Sequence, residues 1–276
     1  MVLHYSIVVI VCRRFSLSMI DVTCDIRFGN ACGVETVEHG QIPEVRFAAD
    51  SHGGPESLWF CFRVVLSDPP PSGRMRLVLK HVETMLLGKP FTNLRPVVRY
   101  RDGDWKRLGC GSERALPDGR TWIVWEIEAP RTWVDVALCY PYDAEETERL
   151  LEETKGYWRC DTIGMSQEAR PIDRLSNGYG KEGSEKPGIY CVARQHSGEV
   201  PGSWVMDGFL RYFAESGSHD LFVWAVPLSN IDGVEQGDYG KDNFPYDLNR
   251  AWGNPPMRRE TLVIRRDVSR WASRCR

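Results

Sequence analysis

The stretch Gly188-Ile-Tyr-Cys-Val-Ala-Arg-Gln-His-Ser-Gly-Glu-Val-Pro-Gly-Ser-Trp-Val-Met206 carries the strongest indication of the fold. Its largely apolar beginning predicts a strand, and the residues from Pro201 onward predict a helix. His196 therefore falls where a strand ends and a helix is about to begin, which is where open α/β sheets place their ligands. The serine and glycine that follow allow the backbone to turn, so that His196 and Glu199 can converge on one ion.

Strands and helices alternate on both sides of this stretch. The order strand–helix–strand indicates an α/β domain with a largely parallel sheet, which we place at residues 138–276. Its predicted elements are a helix over Ala144–Tyr157 with Asp143 as N-cap, a strand over Lys186–Ala193, a helix over Pro201–Ala214, a strand over His219–Leu228, a loop over Ser229–Pro256 and a helix over Met257–Trp271.

The N-terminal part has a different pattern. Across residues 19–137, short runs rich in Val, Phe, Tyr and Trp alternate with polar residues and are separated by turn segments such as Asp68–Gly73. Many short strands with regular turns predict an all-β, antiparallel sandwich domain. Residues 1–18 contain an apolar run too short to span a membrane and lack the basic start of a signal peptide, so we expect Met19 to be the natural start and this leader to be of doubtful authenticity.

Composition narrows the class of protein. A formal charge of −3 gives no long-range attraction for nucleic acid or for an anionic membrane, so neither is an expected partner. The nine cysteines are widely spaced, without a C-x-x-C pair, which favours a reducing compartment and a cytoplasmic protein over a disulfide scaffold. The arginines between Arg258 and Arg276 predict the solvated face of an amphipathic helix, and Glu260 and Asp267 are expected on its surface.

Four side chains suggest a metal site beside an anion site. His196 and Glu199 are a nitrogen and oxygen pair three residues apart, of the kind that zinc peptidases use. Asn249 and Arg250 offer an amide and a guanidinium that suit a carboxylate. The His-x-x-Glu pattern alone is weak, because it also fits a loop histidine followed by a glutamate that caps a helix.

Three motifs together resemble one family. They are Ala193-Arg-Gln-His-Ser-Gly-Glu-Val-Pro-Gly-Ser-Trp-Val-Met-Asp-Gly-Phe209, Val226-Pro-Leu-Ser-Asn-Ile-Asp-Gly-Val-Glu-Gln-Gly-Asp-Tyr239 and Asp247-Leu-Asn-Arg-Ala-Trp252. Their order is similar to the cytosolic carboxypeptidase branch of the zinc carboxypeptidases. Upstream, Trp59-Phe-Cys-Phe-Arg-Val64 and Cys139-Tyr-Pro-Tyr142 resemble the β-sandwich domain that precedes the catalytic domain in that branch. The resemblance covers about residues 20–276.

The resemblance implies a function and a role for each site residue. His196 and Glu199 would be two ligands of a single zinc ion, and Asp247 would accept the free ring N–H of His196 and fix its tautomer. Asn249 and Arg250 would hold the terminal carboxylate of a peptide or protein tail. The family chemistry is zinc-dependent removal of C-terminal residues.

The chain also departs from the family pattern. Lys241 stands beside the position of the usual oxyanion arginine, so the resemblance assigns it the oxyanion, while a solvated loop lysine fits equally well. The third zinc ligand and the glutamate base are expected after Arg276, where the chain has ended. His219 precedes a strand and is a poor substitute for the missing ligand. We therefore expect the α/β domain to be incomplete, the sequence to be truncated and this 276-residue chain alone to be inactive.

Two other functions stay open at this point. The first is a catalytically inactive remnant that acts as a protein-binding module, which the missing third ligand favours and the intact set of four site residues disfavours. The second is an amidohydrolase acting on N-acyl amino acids, since that class uses similar ligands. The long N-terminal sandwich and the Cys139–Tyr142 segment favour the peptidase branch.

Overall fold

The computed structural model describes residues 19–85, 93–217, 220–241 and 246–276. The leader at residues 1–18 and His219 lie outside these ranges. The strands are β1 (Ile20–Thr23), β2 (Cys32–Val37), β3 (Glu44–Ala48), β4 (Cys61–Leu66), β5 (Arg74–Leu79), β6 (Val97–Tyr100), β7 (Lys106–Arg107), β8 (Ser112–Ala115), β9 (Thr121–Glu128), β10 (Trp133–Ala137), β11 (Arg159–Met165), β12 (Pro171–Ser176), β13 (Gly188–Val192) and β14 (Phe222–Val226). The helices are α1 (Ala144–Glu153), α2 (Pro201–Ser216), α3 (Ile231–Gln236) and α4 (Arg259–Ala272).

The first ten strands form two five-stranded sheets, in the orders β1-β4-β10-β6-β7 and β2-β3-β5-β9-β8. All pairings in the first sheet are antiparallel. The second sheet departs from the predicted antiparallel pattern, because β3 and β5 pair in parallel. A parallel pair needs a crossover connection, and β4, which belongs to the other sheet, lies within it.

The two sheets share one apolar core. Alternate residues of each strand point to one face of a sheet, so Met75, Leu77 and Leu79 of β5 are buried on the same side. They join Phe60 and Phe62 of β4 in the same buried cluster. The alternation of apolar and polar residues read from the sequence therefore corresponds to the inner faces of these sheets.

The third sheet has the order β11-β12-β14-β13. The prediction of a largely parallel sheet was wrong: β11 with β12 and β12 with β14 are antiparallel, and β13 with β14 is parallel. The reason is that α2 connects β13 to β14 and so forms a parallel crossover, whereas β11 and β12 are joined by a tight turn that reverses the chain.

Helices cover both faces of this sheet. Leu150 of α1 and Leu210 of α2 are fully buried in a cluster with Leu175 of β12. On the opposite face, α4 packs against β11, where a side chain at Gly164 would come within 2.6 Å of Val263. Within the described residues, no helix is both long and apolar enough to cross a membrane.

Several helix boundaries agree with the sequence. Asp143 caps α1 as predicted, because its carboxylate accepts hydrogen bonds from the backbone of Glu145 (2.8 Å) and Glu146 (3.2 Å). The loop predicted from Ser229 to Pro256 is interrupted by α3 and by a short 3₁₀ turn at Leu248–Arg250. These elements are too short to show a clear apolar period in the sequence.

The predicted surface of α4 was wrong in three places. Glu260 and Asp267 were expected in water, yet both are buried, as is Arg258 just before the helix. Glu260 accepts a hydrogen bond from Arg258 at 3.0 Å, and Asp267 accepts one from the hydroxyl of Tyr190 at 2.9 Å. Charged residues are buried in proteins when they are paired, and the sequence does not show which residues pair.

Candidate metal site

The predicted ligand pair lies in the loop between β13 and α2, which we call the ligand loop (Arg194–Val200). Nδ1 of His196 is 2.9 Å from Oε1 of Glu199. The ring of His196 is buried, whereas the carboxylate of Glu199 is half exposed. The two side chains thus converge at the carboxyl end of β13, as expected from the strand–turn–helix pattern.

Parallel pairing of β13 with β14 places this loop. Beyond the ends of both strands, the amide of Ser229 donates to the carbonyl of Ala193 (3.1 Å), and that of Asn230 donates to the carbonyl of Arg194 (3.1 Å). These bonds hold the beginning of the ligand loop against the loop that follows β14. The position of the ligand pair is therefore set by the parallel pair β13–β14 at one edge of the sheet.

Arg194 also shapes the ligand loop. Its backbone is left-handed, with φ at 62°. Its buried guanidinium donates to the carbonyl of Ser197 (2.6 Å) and to the carbonyl of Tyr142 (3.1 Å). Burial lowers the pKa of Arg194 to about 10, so the side chain is still a cation at neutral pH.

Asp247 approaches the other side of the histidine ring. Nε2 of His196 is 3.2 Å from Oδ1 of Asp247, and the same oxygen accepts the backbone N–H of Asn249 at 2.8 Å. The carboxylate thus connects the ring of His196 to the turn that carries Asn249 and Arg250. With Nε2 directed at Asp247, Nδ1 is the ring nitrogen that faces Glu199.

A cavity of about 960 Å³ opens beside the pair. Its walls come from the ligand loop, from α2 and from the strands and loops of the first 139 residues. The polar side chains that line it are Asn93, Arg95, Arg107, Arg194, Gln195, His196, Glu199, Tyr239 and Asn249. The cavity is large enough for several amino-acid residues of a ligand.

Asn249 and Arg250 differ in their placement. Both belong to the 3₁₀ turn after Asp247 and both are exposed, but only Asn249 lines the cavity. The guanidinium of Arg250 donates to the carbonyl of Asn249 at 3.3 Å. The structure therefore brings His196, Glu199, Asp247 and Asn249 together, with Arg250 beside them.

Lys241 lies apart from this group. Its ammonium donates to Oε2 of Glu56 at 2.8 Å and lies 5.4 Å from the ring centre of Tyr239. Partial burial acts to lower the pKa of Lys241, but the contacts with Glu56 and Tyr239 together outweigh it and raise that pKa. Lys241 is not among the described residues that line the cavity, and its charge is already paired.

Sequence reasoning did not single out Arg95 and Arg107. Arg95 lies just before β6 and Arg107 lies on β7, and both line the cavity. The Arg107 guanidinium donates to the carbonyl of Arg95 at 3.0 Å. Nothing in their local sequence distinguishes them from other surface arginines.

Two cysteines line the cavity as well. Burial raises the pKa of the Cys139 thiol to about 11 and also raises the pKa of the Cys191 thiol. Both thiols are therefore protonated at neutral pH, which disfavours them as nucleophiles.

The donor atoms of His196 and Glu199 are of the types that bind zinc. An imidazole nitrogen and a carboxylate oxygen are ordinary zinc ligands, and the Asp247 contact to the second ring nitrogen is common at such sites. Across the four described ranges of the chain, no group of three or more His, Cys, Asp or Glu side chains is arranged to hold a metal ion. At the end of β13, His196 and Glu199 are the two donors that face each other.

Comparison with known proteins defines the class. Residues 144–261 match the family model described as zinc carboxypeptidase. The resemblance read from the motifs is confirmed.

The similar curated proteins are cytosolic carboxypeptidases. The chain is 33% identical to mouse cytosolic carboxypeptidase 6 over 141 residues, which cover 46% of this chain and 26% of that protein. It is 27% identical to cytosolic carboxypeptidase 2 of Macaca fascicularis over 254 residues, which cover 80% of this chain and 29% of that protein. The chain thus spans about a quarter to three tenths of the length of these relatives.

Solved structures show the same fold. A metallo-carboxypeptidase from Burkholderia cenocepacia superposes with a TM-score of 0.72 at 20% identity, covering 91% of this chain and 67% of that one. A metallo-carboxypeptidase from Pseudomonas aeruginosa, solved with (2-guanidinoethylmercapto)succinic acid, gives a TM-score of 0.69 at 21% identity, covering 91% and 66%. The described chain therefore has a carboxypeptidase-like fold with mixed sheets.

Proposed function

We propose that this chain provides the metal-binding and carboxylate-binding part of a zinc-dependent metallocarboxypeptidase that removes C-terminal residues from peptides or protein tails. The observation that carries the proposal is the placement of the His196 ring between Glu199 and Asp247, at the carboxyl end of β13 and on the wall of a large cavity. The zinc carboxypeptidase match over residues 144–261 supports it.

His196 and Glu199 would hold the ion in this proposal. Asp247 would accept the N–H at Nε2 of His196, which keeps that nitrogen protonated and leaves the Nδ1 lone pair for the metal. When bound, zinc lowers the pKa of a coordinated water and polarises a carbonyl oxygen. The residues of this chain would position the metal and exclude part of the solvent through the buried ring of His196.

Asn249 and Arg250 would bind the free carboxylate at the end of the substrate. A planar guanidinium forms two parallel hydrogen bonds with a carboxylate, which a lysine cannot reproduce. The Asp247 carboxylate holds the turn that carries both residues. Recognition of a terminal carboxylate beside the metal would direct cleavage to the last peptide bond. Lys241 is left out of this assignment, since Glu56 already pairs with it.

The wider organisation is proposed with it. We interpret the two N-terminal sheets as a sandwich domain at residues 19–137 that precedes an α/β domain at residues 138–276. The names of the relatives support a cytoplasmic location. The eight cysteines among the described residues are all free, in keeping with a reducing compartment.

Metal binding tests the site without depending on turnover. Zinc affinity is measured by competition with a chromophoric chelator for the unaltered protein, for His196→Ala and for Glu199→Ala. His39→Ala is the matched control, because His39 is an exposed histidine in the turn between β2 and β3. We expect zinc binding to be lost in the two site variants and retained in the control. Unchanged binding in His196→Ala would overturn the assignment.

Peptide binding tests the carboxylate anchor. Binding of the zinc-loaded protein to a peptide with a free C-terminus is compared with binding to the same peptide ending in an amide. We expect the free acid to bind more tightly than the amide. Arg250→Lys should lower the ratio of these two affinities by roughly tenfold or more, because lysine cannot form two parallel hydrogen bonds with a carboxylate. Equal binding of acid and amide would exclude Asn249 and Arg250 as a terminal carboxylate site.

A further inference from the structure

The segment Gly237–Lys241, which we call the linking segment, lies between the N-terminal sheets and the ligand loop. Two of its glycines show how closely it is packed. A side chain at Gly237 (φ 73°) would come within 2.4 Å of the carbonyl oxygen of Gly29, which lies between β1 and β2. A side chain at Gly240 (φ 94°) would come within 2.5 Å of the backbone nitrogen of Ser197, in the ligand loop.

The linking segment is hydrogen-bonded to the ligand loop. The hydroxyl of Ser197 donates to the carbonyl of Asp238 at 2.8 Å, and the amide of Gly198 donates to the carbonyl of Tyr239 at 2.9 Å. Ser197 and Gly198 are the two residues that separate His196 from Glu199. The distance and angle between the two proposed ligands therefore depend on where the linking segment holds these residues.

The N-terminal part holds the same segment at three points. The buried amide of Asn30 donates to the carbonyl of Gly237 at 2.8 Å. His52 contacts the carboxylate of Asp238 through Nδ1. Glu56 forms an ion pair with Lys241, with 2.8 Å between Oε2 and Nζ.

From these contacts we infer that the N-terminal sheets position the metal ligands through the linking segment, with His52 and Glu56 as positioning residues. Neither residue touches His196 or Glu199 in the contacts described. Each acts on a residue of the segment that in turn fixes Ser197 and Gly198. Lys241 is then a structural cation that attaches the segment to the N-terminal part. The inference rests on the proposed function, since it concerns the same site.

The contacts explain why this site needs an N-terminal part. Within the ligand loop, Arg194 holds the carbonyl of Ser197, but the hydroxyl of Ser197 and the amide of Gly198 are held from the linking segment. The glycine adds backbone freedom that these outside bonds restrict. Groups that orient metal ligands from behind typically change metal affinity about 10–100-fold when they are removed. His52 and Glu56 reach the ligands only through the linking segment, so we expect the change in zinc affinity to be at the lower end of that range.

The test uses the whole chain and a double variant, His52→Asn with Glu56→Gln. Both changes are mild and keep polar side chains of similar size. The matched control is Glu35→Gln, because Glu35 also pairs with a lysine across 2.8 Å but contacts Lys80 on the N-terminal sheets. Three quantities are measured: the zinc dissociation constant, the midpoint of thermal unfolding and the exchange rate of the Gly198 amide hydrogen.

We expect the double variant to raise the zinc dissociation constant about tenfold and to accelerate exchange of the Gly198 amide by a similar factor. The midpoint of thermal unfolding of the double variant should equal that of Glu35→Gln. Equal midpoints separate an effect on ligand positioning from a general loss of stability. Unchanged zinc affinity and unchanged exchange would overturn the inference, as would equal effects in Glu35→Gln. If the unaltered protein binds no zinc, the proposed function fails, while exchange of the Gly198 amide still decides whether the sheets hold the loop.

Discussion

Arg194 brings a left-handed backbone and a buried charge to the start of the ligand loop. A left-handed conformation costs roughly 1–2 kcal/mol for a residue other than glycine. Burial of the guanidinium is a further cost, which lowers the pKa of Arg194. Its hydrogen bonds to the carbonyls of Ser197 and Tyr142 offset these costs and connect the loop to the segment before α1.

Replacement of Arg194 by methionine tests this role. Arg194→Met leaves the carbonyls of Ser197 and Tyr142 buried without their donor, so we expect the free energy of unfolding to fall by about 3 kcal/mol. The measurement is urea unfolding at neutral pH, with Arg266→Met as control because Arg266 is exposed on α4. A change of less than about 0.5 kcal/mol in Arg194→Met, the range of ordinary surface substitutions, would contradict the role.

At the scale of single elements, α4 shows which features local sequence can predict. The period of its apolar residues gave the helix and its bounds to within two residues, because the fully buried Ile264 and its apolar neighbours mark the packed face. The same period assigned Glu260 and Asp267 to water. Their partners, Arg258 just before the helix and Tyr190 on β13, were not recognised as such from the sequence.

The pair at the start of α4 bears on the site. Arg258 donates to Glu260 at 3.0 Å and also to the carbonyl of Tyr246 at 3.1 Å, directly before Asp247. Glu260 in turn accepts the backbone N–H of Gln167 at 3.1 Å. The start of α4 thus holds the turn whose carboxylate contacts His196.

Loss of the Glu260 charge should therefore be costly. Glu260→Gln leaves the guanidinium of Arg258 buried without a carboxylate, and breaking such a pair typically costs about 3–5 kcal/mol. We expect a decrease of about 3 kcal/mol in the free energy of unfolding by urea. Arg259→Ala, at the exposed neighbouring position, should change it by less than about 0.5 kcal/mol. Equal effects of the two variants would show that the pair contributes no more than a surface charge.

Across the whole molecule, sequence reasoning identifies side chains that lie close together when they are also close along the chain. His196 and Glu199 are three residues apart on a strand–turn–helix segment, so their convergence follows from the turn alone. The role of Asp247, which is 51 residues from His196, came from family resemblance. The contact of His52 with Asp238 joins residues 186 positions apart, and no local pattern marks either of them. Such pairs arise only when the N-terminal sheets pack on the α/β part.

That packing forms a second buried core that neither part completes alone. Trp59 and Val97 of the N-terminal part share it with Val226, Leu228 and other residues of the C-terminal part. The indole N–H of Trp59 donates to the carbonyl of Phe28 at 2.9 Å. Because the apolar surface is shared, unfolding of one part exposes surface of the other to water.

We therefore expect the chain to unfold in one cooperative transition, and Trp59→Ala to lower the stability of both parts together by about 3–5 kcal/mol. Urea unfolding is followed by far-ultraviolet circular dichroism and by tryptophan fluorescence, whose midpoints should coincide before and after the substitution. Trp133→Ala is the control, since Trp133 is half-buried on β10 and outside the shared core, and its effect should be smaller. Two separate transitions would mean that the sheets fold independently of the α/β part. If the sheets position the metal ligands, the two parts should instead unfold together.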